Sequence, residues 1–422
     1  MRENQLIYRI DWLVVAIYMI LVISGWLNIY AAEYDPDQAL SIFNINTSAG
    51  RQLIWVGTSL ALVAVIMLLD FRFYNSFAFL IYGIIIVLLI AVLIFGQEVA
   101  GSRSWFQLGS FKFQPSEFAK LAAALGLAKY LSKSTRKPTD LNVQVTGFLI
   151  FLAPALLIII QGDAGTAMVF AGFILVLFRE GMHPIILIVG IGVIVLFLLT
   201  LLVSQTILLI GTVILTILAL GLVARSTQRI IIVLLSGLMV GVFIRSVDFI
   251  LTDVLKPHQQ KRVFSLINPN ADPLGIGWNV TQSKIAIGSG GLTGKGYLEG
   301  TQTKFDFVPK QTTDFIFSTI GEEQGWLGSF ILVALFTGLL LRIIYLAERQ
   351  KSSFARIFGY SVASILFVHF ALNIAMTIGL FPVIGIPLPF FSYGGSSLWG
   401  FTILLFSFLK LDAHRMQVLQ RW

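Results

Sequence analysis

Of 422 residues, 57% are hydrophobic and 12% charged, against roughly 25% charged in a soluble domain, so water is not the main solvent of this chain. The absence of cysteine excludes disulfides, thiolate metal sites and thiol catalysis. Four histidines far apart in sequence (His183, His258, His369 and His414) give no motive for a histidine-built metal site. A net charge of +8 would suit nucleic acid, but Lys and Arg sit mainly between apolar runs. That is the pattern of orientation signals and anionic-lipid contacts, so membrane lipids, and no nucleic acid, are the expected partners.

A spanning helix needs about 20 mostly apolar residues. Candidate runs fall at 12–30, 52–69, 77–95, 117–131, 146–161, 166–179, 185–203, 206–224, 230–250, 315–341, 357–380 and 397–410. The fold class is therefore an all-α integral membrane protein, a polytopic helical bundle of about 12 spans forming a single membrane domain over 1–422. The first run is too long for a signal peptide and holds Trp12 and Trp26, so it reads as a retained anchor. Lys and Arg alternate between loops in a way that puts both termini in the cytoplasm. Arg72, Lys133, Arg136, Arg179, Arg229, Arg349 and Lys410 then lie inside, while 31–50, 162–165 and 381–396 lie outside and hold no Lys or Arg. The long polar stretch 253–313 becomes a large extracytoplasmic loop. No soluble domain and no ATP-driven motor is encoded.

Ionisable groups in or near hydrocarbon cost several kcal/mol and mark candidate functional sites. In Gln114-Pro-Ser-Glu-Phe-Ala-Lys120, Pro115 and Ser116 start a helix, and Glu117 and Lys120 share a face of its first turn. They are either a local ion pair or a cation presented to an anionic headgroup. Asp163, in the break Gln161-Gly-Asp-Ala-Gly165, needs a partner from another helix unless it caps the helix starting at Thr166. The outer loop carries Lys256, Lys261, Arg262, Lys284, Lys295, Lys304 and Lys310. Its glycine cluster 288–296 fails the P-loop spacing, yet backbone amides exposed by glycines, with lysines, suit a diphosphate. In 312–325, one helix would align Asp314, Ser318, Gly321, Glu322 and Gly325 on a polar face lining a water-accessible cavity. The plain alternative for Asp314 is an N-cap.

A cavity-facing carboxylate, nearby cations and lateral access from the bilayer suit sugar transfer from a lipid diphosphate. The carboxylate would deprotonate the attacking hydroxyl, and positive charge would stabilise the departing diphosphate. Displacement from an α-linked donor would be inverting, with no covalent enzyme intermediate. The same residues also admit a lipid transporter.

The segment Arg262-Val-Phe-Ser-Leu-Ile-Asn-Pro-Asn-Ala-Asp-Pro-Leu-Gly275 resembles the large outer loop of the SEDS family. The resemblance continues through Gln282–Gly291, Gly294–Gly296, Gly300–Gln302, Thr313-Asp-Phe-Ile-Phe317 and Pro387-Leu-Pro-Phe-Phe-Ser-Tyr-Gly-Gly-Ser-Ser397, and includes Gln114–Lys120 and Gln161–Gly165. It covers about 101 to 400, and Gln282–Gly291 is closer to the elongation branch (RodA-like) than to the division branch (FtsW-like). It implies a ten-span core, with 206–250 as an inserted hairpin. The activity it implies is a peptidoglycan glycosyltransferase polymerising lipid II into glycan strands at the outer face of the cytoplasmic membrane, for cell elongation, with a class B penicillin-binding protein as transpeptidase partner. The family's catalytic Asp falls on Asp314. Its sensitive Lys falls on Lys120, its second Asp on Asp163, and its Arg-x-Trp segment on Arg103 and Trp105. With Glu117, Lys284, Lys295, Lys304, Ser318 and Glu322 these form the expected substrate site. No cofactor is fixed by the sequence; a divalent cation at the diphosphate is compatible with it. A lipid II flippase and a non-catalytic scaffold for the transpeptidase are the alternative functions. Two departures stand out: Pro309 is followed by Lys310 where the family has Glu, and Gly162 replaces a Pro, which should loosen the turn at Asp163.

Overall fold

The computed structural model describes residues 9–35, 41–99, 101–109, 111–137, 139–223, 226–254, 260, 263, 276–304 and 307–416. The chain divides into two compact units, Met1–Met182 with Trp278–Trp422, and His183–Gly277. The second takes in the expected hairpin 206–250 and the preceding span as well.

In the first unit, α1 (Trp12–Ala32), α2 (Ser48–Leu68) and α3 (Arg72–Phe95) lead into three short antiparallel strands, β1 (Gln97–Val99), β2 (Ser102–Leu108) and β3 (Phe111–Phe113). Then come α4 (Pro115–Lys133), α5 (Leu141–Ile160), α6 (Ala164–Val169) and α7 (Phe173–Arg179). Asp11 and Thr47 cap α1 and α2 through their side chains, and Pro115 opens α4, each satisfying or dispensing with a free helix-end N–H. The second unit holds α8 (Pro184–Leu202), α9 (Gln205–Val223) and α10 (Thr227–Phe249), the last extended by a π turn over Ile250–Val254. The hydroxyls of Thr212 and Thr216 bond back to carbonyls one turn earlier, so these apolar helices expose no unmet polar side chain there. The chain re-enters the first unit through α11 (Ile276–Ser289), α12 (Thr301–Lys304), α13 (Ile316–Glu323), α14 (Gly325–Glu348), α15 (Ser353–Thr377) and α16 (Gly395–Ala413).

All twelve expected spans coincide with helical segments. Among the described residues, ten helices are long and apolar enough to cross a membrane, so this is a multi-pass membrane protein. The other two segments are the broken pair α6–α7 and α4, which carries Glu117, Lys120, Lys129 and Lys133. Helix α4 runs through the centre of the first unit, against α3, α5, α15 and α16. Its alanines, Ala119, Ala122, Ala123, Ala124 and Ala128, are fully buried, and their small size lets neighbouring helices approach closely.

The all-α fold class holds, with 97–113 adding only a small sheet, and one expectation changes. The run 315–341 is not one helix: it breaks at Gln324–Gly325, where Gly325 adopts φ +64°. The first amides of α14 are met from outside, Trp326 N–H donating to Gly291 O at 2.9 Å and Leu327 N–H to Leu292 O at 3.1 Å. The break thus docks the glycine-rich loop at the helix end.

Candidate active site

Asp314 lies two residues ahead of α13, and Phe315 holds the N-cap position, so it does not begin the helix. Its segment is pinned by its own carbonyls. Tyr393 N–H donates to Thr312 O at 2.9 Å, Ser392 Oγ to Thr313 O at 2.6 Å, and Asn373 Nδ2 to Asp314 O at 3.0 Å. The same Asn373 amide donates to Ile386 O at 2.8 Å, tying the 386–393 turn to the aspartate. Phe315 and Ile316 are fully buried beside it. The Asp314 carboxylate keeps 12% of its surface exposed, with Lys310 Nζ 3.6 Å from Oδ2. Gly385, at φ +72°, leaves the space next to that oxygen open; a Cβ there would stand 3.4 Å from it. Four residues before Asp314, Lys310 is the nearby cation, a pairing that the i, i+4 spacing leaves readable in the sequence.

Glu117 and Lys120 pair at 2.9 Å, with side chains 3% and 2% exposed. Lys120 also meets His369 Nε2 at 2.8 Å and lies over the Phe401 ring, 4.5 Å from its centroid. It is therefore enclosed rather than presented to a headgroup. His369 and Asn373 are one turn apart on α15, so a single helix face carries the contact to Lys120 and the one to Asp314. Nothing in the sequence linked His369 to Lys120, 249 residues away.

Asp163 fulfils both of its readings. Its Oδ1 accepts from Thr166 N–H at 3.0 Å and its Oδ2 from Thr166 Oγ1 at 2.8 Å, capping α6. The partner from another helix is Gln114, whose Nε2 donates to Oδ2 at 3.0 Å. Gly165 packs against Ile384, where a Cβ would fall 2.3 Å from the carbonyl oxygen. The Asp163 turn thus abuts the 384–393 segment that holds Asp314.

The glycine loop is turned the other way from expectation. Lys295 N–H donates to Glu322 O and Gly296 N–H to Glu323 O, both at 3.0 Å, so these amides are not offered to a diphosphate. Gly290 and Gly294 allow the loop's approach; a Cβ would fall 2.0 Å from Gly321 O and 2.1 Å from Glu323 O respectively. Ser318 and Glu322 are fully buried, so the polar stripe faces protein rather than a cavity. Glu322 accepts from Lys295 Nζ at 2.6 Å and from the amides of Gln302 and Thr303 at 2.8 and 3.0 Å. These bonds compensate the buried charge and hold it below the usual carboxylate range against the opposing effect of burial. Lys295 is thereby committed to Glu322. Lys284 is exposed, lying against Gly379. The side chain of Lys304, and Lys256, Lys261 and Arg262, lie outside the described residues.

The sequence profile of the FtsW, RodA and SpoVE family, described as "Cell cycle protein", matches this chain over residues 11–210 and 191–417. The chain belongs to this family. It is 36% identical over 349 residues to the peptidoglycan glycosyltransferase MrdB of Escherichia coli K12, covering 82% of this chain and 81% of that one. To the peptidoglycan glycosyltransferase RodA of Treponema pallidum it is 33% identical over 429 residues, covering 96% and 98%. A chain in a solved peptidoglycan synthase complex, described as coordinating polymerisation and crosslinking, superposes with TM-score 0.69 at 28% identity, over 97% of this chain and 99% of that one.

The remaining residues singled out from the FtsW/RodA/SpoVE resemblance sit on the sheet. Arg103 and Trp105 lie on β2, Arg103 exposed and Trp105 half-buried. Trp105 is paired with Gln97, and Arg103 N–H donates to Gln161 O at 2.8 Å. That bond joins the sheet to the Asp163 turn. Gly162 does not loosen this turn. It adopts φ +87° and comes close to Gly101 and Ser102, a conformation closed to proline, whose φ is locked near −65°. Lys310, where the resemblance expects Glu, pairs with Asp314. Among the described residues, no group of three or more His, Asp or Glu could hold a metal ion. One carboxylate beside an ammonium is a poor donor set for a divalent cation.

Proposed function

We propose that this chain is a peptidoglycan glycosyltransferase that polymerises lipid II at the outer face of the cytoplasmic membrane, with Asp314 as general base. The observation that carries the reading is the Asp314 carboxylate, 12% exposed at an open edge beside Gly385 while its backbone is fixed by Thr312, Thr313 and Asn373 contacts. A base must be held still yet reach its proton. The acceptor sugar's hydroxyl oxygen attacks the anomeric carbon of the donor, its proton passes to Asp314, and the bond to the diphosphate breaks with inversion. Lys310 stabilises the ionised carboxylate before the proton arrives. The exposed Lys284 is the described loop cation left to meet the departing diphosphate. Lys120 acts as a positioning residue, through His369 and the α15 face that holds Asp314.

Strand crosslinking then falls to a partner, a class B penicillin-binding protein, in keeping with the synthase complex whose chain this one resembles. Purified protein incubated with lipid II, alone and with that transpeptidase, tests the reading. Glycan polymer on a gel is expected, whereas movement of lipid II across vesicle bilayers with no polymer would replace the enzyme by a flippase.

A further inference from the structure

A polar cavity lies at the end of the first unit away from Asp314. Asn373 on α15 holds Asp314, and Ser352 caps the start of the same helix. Those 21 positions correspond to about 30 Å along an α-helix. Next to Ser352 is a cavity of about 290 Å³, lined among others by Arg72, Ser76, Gln350, Ser352 and Arg415. Two arginines and no carboxylate line it. Arg72 makes no ion pair among the described residues; its guanidinium lies 5.6 Å from the Phe71 ring centroid. Arg415 is 3.5 Å from Asp412, but that carboxylate is already taken by Arg349 at 2.5 Å and by Gln350 Nε2 at 2.6 Å. The N-termini of α3 and α15 both lie here, but their first amides are already met, Arg72 N–H by Asp70 Oδ1 at 2.8 Å and Ala355 N–H by Ser352 Oγ at 3.5 Å, so an anion's charge is met by the arginines.

Gln350 is 7% exposed and its Nε2 already binds Leu346 O and Asp412, so the two arginines are the groups left to meet a ligand. Both α3 and α15 are spans beginning at this level, which puts the cavity at headgroup depth.

We propose that this cavity binds a phosphate-bearing anion, held between Arg72 and Arg415. The same chemistry is presented by a phospholipid headgroup and by a soluble glycerol phosphate. The site is separate from the Asp314 chemistry, and its test does not depend on it.

The test uses the full chain stripped of lipid in detergent. Binding of phosphatidylglycerol, phosphatidylcholine (phosphate but no net charge) and glycerol 3-phosphate is measured by native mass spectrometry. Parent protein should retain phosphatidylglycerol over phosphatidylcholine. R72Q/R415Q should weaken retention at least about tenfold, the weight of one charge-assisted hydrogen bond. Should that pair fail to fold, Ser76→Trp, which fills the cavity from an exposed position and keeps both charges, should do the same. Displacement of the lipid by glycerol 3-phosphate would support the site with a soluble source, and lack of displacement a membrane source. Equal retention of both lipids by parent and variants would overturn the proposal.

Discussion

Replacing Lys120 by Met removes a cation from a pair that is 97–98% buried while keeping much of its length. Glu117 is then left charged with no ammonium, and His369 Nε2 loses its contact. Breaking a buried pair from one side costs about 3–5 kcal/mol, whereas replacing both partners by well-packed neutral groups is about neutral. Lys120→Met alone should therefore lower Tm by several degrees, on the order of 10 °C. The double variant Lys120→Met with Glu117→Gln should recover most of that loss. Turnover separates structure from positioning: with lipid II as substrate, the double variant should stay well below the parent rate although it is as stable. His369 would have no partner at Nε2 to fix the α15 face that also holds Asp314. Parent-like stability and parent-like polymerisation together in the double variant would refute the positioning role and leave Lys120 as nothing more than the counterion of Glu117.

The pair Lys310–Asp314 is half open to water, so Lys310→Gln should cost about 0–1 kcal/mol, less than about fivefold in polymerisation rate; a loss of a hundredfold would make Lys310 part of the chemistry. Glu323, ahead of the spanning helix α14, has its pKa raised from 4.5 to about 7 by burial and the charge of Glu322, against bonds from the Leu298 and Gly300 amides. A carboxyl raised on folding contributes stability that is full below pH 4.5 and is lost as pH rises through 7. Hydrogen exchange in the 298–303 loop should therefore speed up between pH 5 and 7.5 beyond its intrinsic base catalysis, and Glu323→Gln should abolish the excess; an identical profile in the variant would count against it. For sidedness, Thr135→Cys should be shielded from an impermeant thiol reagent in intact cells and Leu292→Cys labelled, with the reverse result inverting the topology.

Periodicity and apolar length made the helices legible, because each span had to bury about 20 residues in hydrocarbon whatever its neighbours were. The break at Gly325 was not, since a glycine inside an apolar run reads as helix until the partner loop that needs its left-handed turn is known. The same limit inverted the glycine cluster: Gly290 and Gly294 are there for close backbone packing, and sequence alone does not distinguish this from an exposed anion nest. At the site, Glu117–Lys120 and Asp163–Thr166 were readable because three-residue spacing in a helix is local. Lys120–His369 and Gln114–Asp163 join residues far apart in the chain, and no pattern of period or composition contains them. Glu322 is covered by protein rather than by a cavity, because helical phase says which residues share a face, not what covers it.

Polymer formation by Asp314→Asn bears most directly on the central claim. Asn keeps the shape of the side chain, and the exposed Lys310 loses only a partly solvated partner. Purified variant and parent are compared for melting temperature, lipid II binding and glycan chain length on a gel. The account predicts normal melting and retained binding, with polymerisation down by about 10²–10⁴, the usual weight of a general base. Polymer made at near the parent rate by a folded Asp314→Asn protein would contradict it.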